Sequence, residues 1–216
     1  LLGLGAATAA LLPAAQAEAV LFGPREYKVS STRLAMGSFL SITAIHSSKN
    51  EAENGIGLAW EEIDRLSRLL SRHDSSTPVS QLNSTGMLRQ APPEVLEVVA
   101  RSLHLHRQTG GAFDITVKPL VDLFKERFAA GVTPSEAEIN ALLPQVGSEQ
   151  IRFASGDLSF GRQGMGITLD GIAPGYIVDR ASALLAAKGI TNHLINCSGD
   201  IRTSGTAAKG KPWTVD

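Results

Sequence analysis

The segment ITLDGIAPGYIVDRASALLAAKG, residues 167–189, decides how the rest of the chain is interpreted. Apolar residues alternate at Ile167 and Leu169, which predicts a short strand, and a turn follows at Asp170-Gly171. Apolar residues then recur at helical spacing: Ile177, Ala181, Leu184 and Leu185. Gly189 is a typical helix stop. A tight glycine turn that opens a helix presents backbone N–H groups and the positive end of a dipole, which favours an anion.

Bulk composition indicates one packed domain. The chain has 216 residues, 43% of them hydrophobic, with a mean hydropathy of +0.04. Such a chain can build a core, which excludes a wholly disordered protein. Its net charge of −1 gives no support to a nucleic-acid partner, whose binding would require a basic surplus. The single cysteine, Cys197, cannot form an internal disulfide.

The two ends of the sequence carry their own signals. Residues 1–12 are apolar, and Ala15-Gln16-Ala17 is typical of a secretory cleavage site, so we predict a signal peptide at residues 1–17 without its charged first region. A buried alanine-rich helix is the alternative. The mature domain is then expected to span residues 18–216 and to lie outside the cytoplasm, in the periplasm or on the outer side of a membrane. Lys211–Asp216 resembles the start of a strand, so we expect the domain to be incomplete at its C-terminal end.

Strands and helices are predicted to follow one another irregularly, which indicates an α+β fold. The strand pattern is clearest at 39–46, with short strands at 151–153, 167–169 and 193–196. Helices are predicted at 51–70, with an apolar stripe, and at 92–109. Thr133 to Glu136 predicts the capping box of a third helix. The polar segment SRHDSSTPVSQLNSTG, residues 71–86, is predicted to be a loop.

Four segments place polar residues or glycines where a core-building sequence would not. They are LAMGSFLS (34–41), SRHDSSTPVSQLN (71–83), GGAFDITVKPLVDLF (110–124) and the opening segment continued by HLINCSGDIRTSG (193–205). Each has an ordinary structural explanation: Met36 as core filler, His73-Asp74 as a solvated loop, Asp114 as a cap. No zinc-ligand spacing, Walker loop or G-x-S-x-G motif occurs.

In their order and spacing, these segments resemble the ApbE family of FAD:protein FMN transferases, from about Met36 to the end of the chain. The resemblance implies an α+β fold with an antiparallel or mixed sheet and flanking helices. It also implies an enzyme that uses FAD as substrate together with Mg²⁺. Such an enzyme attaches FMN through a phosphoester to a Thr or Ser hydroxyl of a partner protein and releases AMP.

The resemblance assigns site residues by motif. The residues expected to bind FAD are Met36, His73, Ala112, Phe113, Asp114, Thr168 and Pro174. Gly171 is expected to bind the metal through its backbone carbonyl, as suits a hard cation that takes oxygen ligands. The catalytic residues are expected beyond residue 216, which predicts that this polypeptide alone is inactive.

The glycine-helix segment departs from the family pattern of an aspartate, two glycines and a lysine. Thr168, Asp170 and Pro174 interrupt that pattern, so a carboxylate has moved by two positions and a lysine charge is gone. His73 stands in place of a stacking tyrosine. These changes are similar to the NosX-like branch, which is tied to maturation of the nitrous-oxide reduction system.

Three other functions stay open. The lost lysine is compatible with a non-catalytic FAD-binding or delivery protein, and water in place of the acceptor would give an FAD pyrophosphatase. A periplasmic interaction domain without a ligand is the third. For the transferase, the expected partner is a membrane-associated electron-transfer protein.

Overall fold

The computed structural model describes residues 18–23 and 26–215, so the signal sequence predicted for residues 1–17 lies outside the described residues. The strands are β1 (Glu18–Gly23), β2 (Glu26–Ala35), β3 (Ser38–His46), β4 (Met87–Leu88), β5 (Ile151–Ala154), β6 (Asp157–Phe160), β7 (Asn192–Cys197) and β8 (Asp200–Ser204). The α-helices are α1 (Lys49–Leu70), α2 (Pro78–Thr85), α3 (Pro93–Gln108), α4 (Lys118–Ala129), α5 (Glu136–Leu142) and α6 (Ala173–Ala187). Short 3₁₀ helices lie at Ile115–Val117, Leu143–Gln145, Ser148–Gln150 and Ala208–Gly210.

Two antiparallel sheets organise the described residues. The larger has the strand order β1-β2-β3-β7-β8, and the smaller has the order β4-β6-β5. In the larger sheet, Ile42 of β3 stands opposite Ile195 of β7, and both are fully buried. Their face of the sheet packs against α1 and α6, since side chains alternate between the two faces of a strand. The predicted α+β class with an antiparallel sheet and flanking helices is confirmed.

Two hairpin turns lie at the same end of the larger sheet. The β2–β3 turn consists of Met36 and Gly37, with φ values of 51° and 77°. The β7–β8 turn consists of Ser198 and Gly199, also with positive φ. Two-residue turns of this kind match the twist of the flanking strands. The hydroxyl of Ser198 contacts that of Ser38, so the two turns lie side by side.

Helix α1 confirms the amphipathic helix predicted from the sequence at 51–70. The five residues predicted to share a face are all buried: Ile56, Ala59, Ile63, Leu66 and Leu70. Ser48 caps the helix by accepting a hydrogen bond from Glu51 N at 3.3 Å. Trp60 extends the buried face and donates its indole N–H to the Ser31 hydroxyl of β2 at 3.1 Å. This contact fixes α1 against the sheet.

Helix α6 ends as the opening segment predicts. Gly189 has φ 82°, and its N–H reaches the carbonyl of Ala186. Ile190 N–H reaches the carbonyl of Leu185 at 3.0 Å. These two bonds form a Schellman motif, which glycine favours because it tolerates the left-handed conformation.

The prediction of a strand at 167–169, before this helix, is wrong. Residues 165–169 are buried but form no ladder with a neighbouring strand. The side chain of Asn83 takes the place of a partner strand: its Oδ1 accepts from Ile167 N at 2.7 Å, and its Nδ2 donates to Ile167 O at 2.9 Å. Thr168 N donates to the carbonyl of Ile115 at 2.8 Å. The apolar alternation therefore reports burial, and the hydrogen bonds come from elements distant in the sequence.

Three further boundaries differ from the predictions. The predicted loop at 71–86 contains helix α2, because Thr77 caps it and Val79 and Leu82 supply a buried face. The capping box is formed by Ser135 and Glu138 rather than by Thr133. Residues 211–215 form no strand. Among the residues that the structure describes, no helix combines the length and apolar character needed to cross a bilayer.

Candidate functional site

The first turn of α6 separates two clefts. The Met36 cleft has a volume of about 510 Å³, and the His104 cleft has a volume of about 740 Å³. The Met36 cleft is lined by Met36, Gly37, Ser67, Arg68, Leu70, Ser71, His73, Asp74, Asp170, Ala173, Pro174 and Ile177. The His104 cleft is lined by Ala100, Arg101, His104, Leu105, Gly171, Ile172, Gly175, Tyr176, Asp179 and Asp200. Both volumes fall in the range of small-molecule sites.

The Met36 cleft brings together three residues that the sequence assigned to FAD. Met36 comes from the β2–β3 turn, His73 from the segment after α1, and Pro174 from the start of α6. No side chain caps this helix, but Ala173 N donates to Leu169 O at 2.8 Å and Pro174 has no N–H, so the helix acts on a ligand here mainly through its dipole. The positive end of the helix therefore lies in the cleft wall, where an anionic ligand would be stabilised.

Met36 adopts a backbone conformation that methionine rarely uses. Its φ of 51° lies in the left-handed region, where asparagine and glycine are favoured in this type of turn. Backbone strain of this kind persists where a side chain serves a function. Met36 lines the cleft and also packs against the edge of the hydrophobic core, so its contact with a flavin nucleotide stays a prediction.

Ser67 is a cleft residue that the sequence patterns did not predict. Its hydroxyl is buried and has no hydrogen-bond partner. A buried hydroxyl without a partner costs about 1–3 kcal/mol, so a bound ligand that hydrogen-bonds to it would gain that energy back in part. In the sequence Ser67 is only a polar position of α1, and nothing in the helical pattern distinguishes it from a solvated serine.

A second unpredicted feature is a cluster of charges beside the Met36 cleft. Arg72 donates from Nε to Asp170 Oδ2 at 3.0 Å and from Nη1 to Asp122 Oδ1 at 2.9 Å. Lys118 Nζ lies 2.5 Å from Asp122 Oδ2, and His73 Nε2 lies 3.8 Å from Asp170 Oδ2. Partial burial opposes ionisation of Asp170, but the hydrogen bond and charge of Arg72 hold the pKa of that carboxyl below its usual range.

Asp114 is held within the protein. Its carboxylate accepts hydrogen bonds from the backbone N–H and hydroxyl groups of both Thr116 and Ser148, at 2.5–3.1 Å. Burial opposes the charge, but these hydrogen bonds lower the pKa of Asp114. His106 Nδ1 lies 3.3 Å from Asp114 Oδ2. The cap role that the sequence left open is confirmed, and contact with a nucleotide stays a prediction.

The remaining predicted residues lie close to the glycine turn. The ring of Phe113 is 3.6 Å from the position that a Cβ on Gly171 would take. Thr168 is 9% exposed and bonds through its N–H to Ile115 O, next to Asp114 in the chain. Ala112 is exposed. The segments around Asp114 and Gly171 therefore converge, as a single site requires.

The oxygen atoms near the glycine turn could supply only part of the ligand shell of a Mg²⁺ ion. Within residues 18–23 and 26–215 no three His, Cys, Asp or Glu side chains gather as metal ligands. The hard oxygen donor that the turn leaves for a metal is the Gly171 carbonyl, because Arg72 holds the Asp170 carboxylate. Mg²⁺ commonly takes one or two protein ligands and completes its shell with water and substrate phosphates. The turn fits that arrangement and does not form an all-protein cage.

The model of the ApbE family matches residues 36–216. The chain is 32% identical over 158 residues to the FAD:protein FMN transferase of Vibrio cholerae serotype O1, a match that covers 72% of this chain and 44% of that protein. It is 27% identical over 191 residues to the FAD:protein FMN transferase of Klebsiella pneumoniae, which covers 83% of this chain and 54% of that protein. The chain therefore spans about half the length of these curated relatives.

Solved structures show the same architecture. The flavin transferase ApbE from Vibrio cholerae superposes with a TM-score of 0.77 at 25% identity, over 93% of this chain and 63% of that one. The apo form of the Pseudomonas stutzeri flavinyl transferase ApbE superposes with a TM-score of 0.76 at 24% identity, over 93% of this chain and 63% of that one. The second likeness is evidence for the fold alone.

Proposed function

This chain belongs to the ApbE family, and on that premise we propose that the protein transfers the FMN half of FAD to a Thr or Ser hydroxyl of a partner protein. In this reaction the acceptor oxygen forms a bond to the FMN phosphorus. The pyrophosphate bond breaks, AMP leaves, and the proton of the acceptor hydroxyl passes to a base or to water.

One observation carries the proposal: Met36, His73 and Pro174, which are far apart in the sequence, line one cleft at the start of α6. The imidazole of His73 is 58% exposed, so it is accessible to stack on a planar ring. Met36 offers a polarizable thioether, which makes favourable contacts with aromatic groups. A dinucleotide needs such a surface for its rings and a positive element for its diphosphate.

The residues of the chain act mainly by positioning. Phosphoryl transfer depends on in-line placement and charge neutralisation rather than on covalent help from the protein. The N-terminal end of α6 would hold the diphosphate, and the cleft walls would fix the rings. Mg²⁺, held by the Gly171 carbonyl and substrate oxygens, would supply further neutralisation of phosphate charge.

We also propose that the protein is exported and that its acceptor is a membrane-associated electron-transfer protein. The apolar run and Ala15-Gln16-Ala17 support export. Fractionation of cells that produce the complete gene product tests this, since the protein should appear outside the cytoplasm with residues 1–17 removed. A product found only in the cytoplasm with those residues attached would contradict export.

The activity is tested by incubating the complete gene product with FAD, Mg²⁺ and an acceptor protein that bears the Thr or Ser site. We expect a fluorescent, covalently flavinylated acceptor band and an equal amount of AMP. FMN in place of FAD is the matched control, because it has no pyrophosphate bond to break and should give no band.

The same assay separates the alternatives. Free FMN and AMP without acceptor labelling would identify a pyrophosphatase. Tight FAD binding without AMP would identify a delivery protein. If no flavin raises the melting temperature, the proposal fails, because a ligand that binds the folded state must stabilise it.

A further inference from the structure

We propose that Arg72 is a positioning residue of the Met36 cleft. Its buried guanidinium neutralises Asp170 and so removes a negative charge that would repel an anionic ligand at the glycine turn. The inference rests on the proposed function, because it assumes that FAD binds in this cleft. It assigns to Arg72 a role that acts through Asp170 and not through contact with the ligand.

Arg72 is a buried side chain that bridges two carboxylates. Its side chain is only 8% exposed, yet it makes ion pairs with Asp122 at 2.9 Å and with Asp170 at 3.0 Å. Arginine suits this task because its planar guanidinium presents several N–H donors in fixed directions and always carries its charge. Arg72 itself is not among the residues that line the Met36 cleft.

Asp170 is the partner that faces a ligand. Its side chain is 53% exposed and lies in the wall of the Met36 cleft, next to Gly171. An unneutralised carboxylate at this point would repel a diphosphate at the start of α6. The ion pair with Arg72 cancels this charge locally.

Arg72 also connects three elements that the chain must hold in register. It lies two positions after the last residue of α1, Asp122 belongs to α4, and Asp170 opens the turn before α6. Lys118 balances Asp122, so the four groups together carry no net charge. Loss of Arg72 would leave Asp170 without its cation and one net negative charge in this cluster.

The experiment measures FAD affinity by titration of flavin fluorescence at about 20 mM and 500 mM NaCl. The variants are Arg72→Gln, Asp170→Asn and the double variant. Arg65→Gln is the matched control. Arg65 of α1 also bridges two carboxylates, those of Glu62 in α1 and Glu94 in α3, both at 2.8 Å. Arg65 does not line the cleft.

We expect Arg72→Gln to weaken FAD binding about tenfold or more at low salt, and by less at high salt because ions screen the exposed Asp170. The double variant should return to within about threefold of wild type, because the repelling charge is gone. Asp170→Asn alone should bind FAD as tightly as wild type or more tightly. Arg65→Gln should stay within about twofold, since exposed pairs contribute little.

Two results would overturn the inference while leaving the proposed function intact. One is a folded Arg72→Gln variant that binds FAD as wild type does. The other is a double variant as weak as Arg72→Gln, which would mean that Arg72 acts on the ligand or the fold directly. If Arg72→Gln does not fold, Asp170→Asn decides alone: weaker binding overturns the inference. A wild-type protein that binds no FAD overturns the proposed function itself.

Discussion

The phenyl ring of Phe113 stands 3.6 Å from the point that a Cβ on Gly171 would occupy. This contact joins the segment after α3 to the turn before α6, and Thr168 N–H to Ile115 O at 2.8 Å joins them a second time. Two motifs more than fifty positions apart in the chain therefore lie side by side. Their convergence is what a single dinucleotide ligand requires.

Gly171→Ala should fold normally. The added methyl group meets Phe113 at an ordinary contact distance, and φ at Gly171 lies outside the left-handed region. We expect the free energy of unfolding to change by less than about 1 kcal/mol in urea titrations. Since alanine keeps the backbone carbonyl, FAD affinity should stay within about threefold. A large loss of affinity at unchanged stability would contradict the carbonyl role.

Gly55 and Gly57 of α1 make a matched pair for testing the packing of α1 on α6. A Cβ at Gly55 would clash with Ile190 Cδ1, three residues past the end of α6, whereas nothing lies within 4 Å of a Cβ at Gly57. Gly55→Ala should lower the free energy of unfolding by about 1–3 kcal/mol through overpacking. Gly57→Ala should raise it by about 0.5–1 kcal/mol through helix propensity. Equal effects in urea titrations would refute this packing.

Ser67→Ala should separate stability from binding. Because the hydroxyl is buried without a partner, its removal should leave stability unchanged or raise it by up to about 1 kcal/mol. FAD affinity should fall about two- to tenfold, the value of one lost hydrogen bond. Thermal unfolding and fluorescence titration measure the two effects. Unchanged affinity would mean that no ligand reaches Ser67.

Met36→Asn should raise stability and weaken FAD binding. Asparagine tolerates the left-handed conformation that Met36 adopts at φ 51°, so the free energy of unfolding should rise by about 0.5–1 kcal/mol. FAD affinity should fall several-fold because the thioether leaves the cleft. The same two measurements apply, and a variant that gains stability and keeps full affinity would show that Met36 is not a binding residue.

His193 should make stability depend on pH. It is fully buried, its Nε2 lies 2.7 Å from the Ser182 hydroxyl, and its Nδ1 lies 2.8 Å from Ile190 O. Burial, reinforced by the charge of Arg202 and opposed by the bond to Ile190, lowers the pKa of this imidazole. Below about pH 6.5 the unfolded chain therefore takes up a proton that the folded protein resists.

The contribution of His193 to stability is thus complete above about pH 6.5 and is lost as the pH falls from there toward the lowered pKa of the folded state, by at most about 1.4 kcal/mol per pH unit. His193→Gln should flatten this part of the curve of urea stability between pH 7.5 and 5.5. The exposed His104→Gln is the control and should leave the slope unchanged. An equal slope in wild type and His193→Gln would contradict the burial argument.

Periodicity predicted α1 and α6 well because their apolar stripes are long and regular. It failed at 167–169, where burial was correctly indicated but Asn83 and Ile115 supply the hydrogen bonds. It also missed α2, whose eight residues bury only Val79 and Leu82. A face that short gives too few apolar positions for a helical period to emerge from a polar segment.

The sequence by itself determined the fold class, the two main helices and the motif set that indicates the family. Hydrophobic spacing and glycine turns depend only on residues that are close together in the sequence. Only the tertiary structure decided that Asp114 is held by Ser148, that Ser67 has no partner, and that Arg72 meets Asp170. Hydrogen bonds and ion pairs act over about 3 Å in space, between groups that can lie anywhere along the chain. Nothing in the local pattern around one partner of such a contact specifies the other.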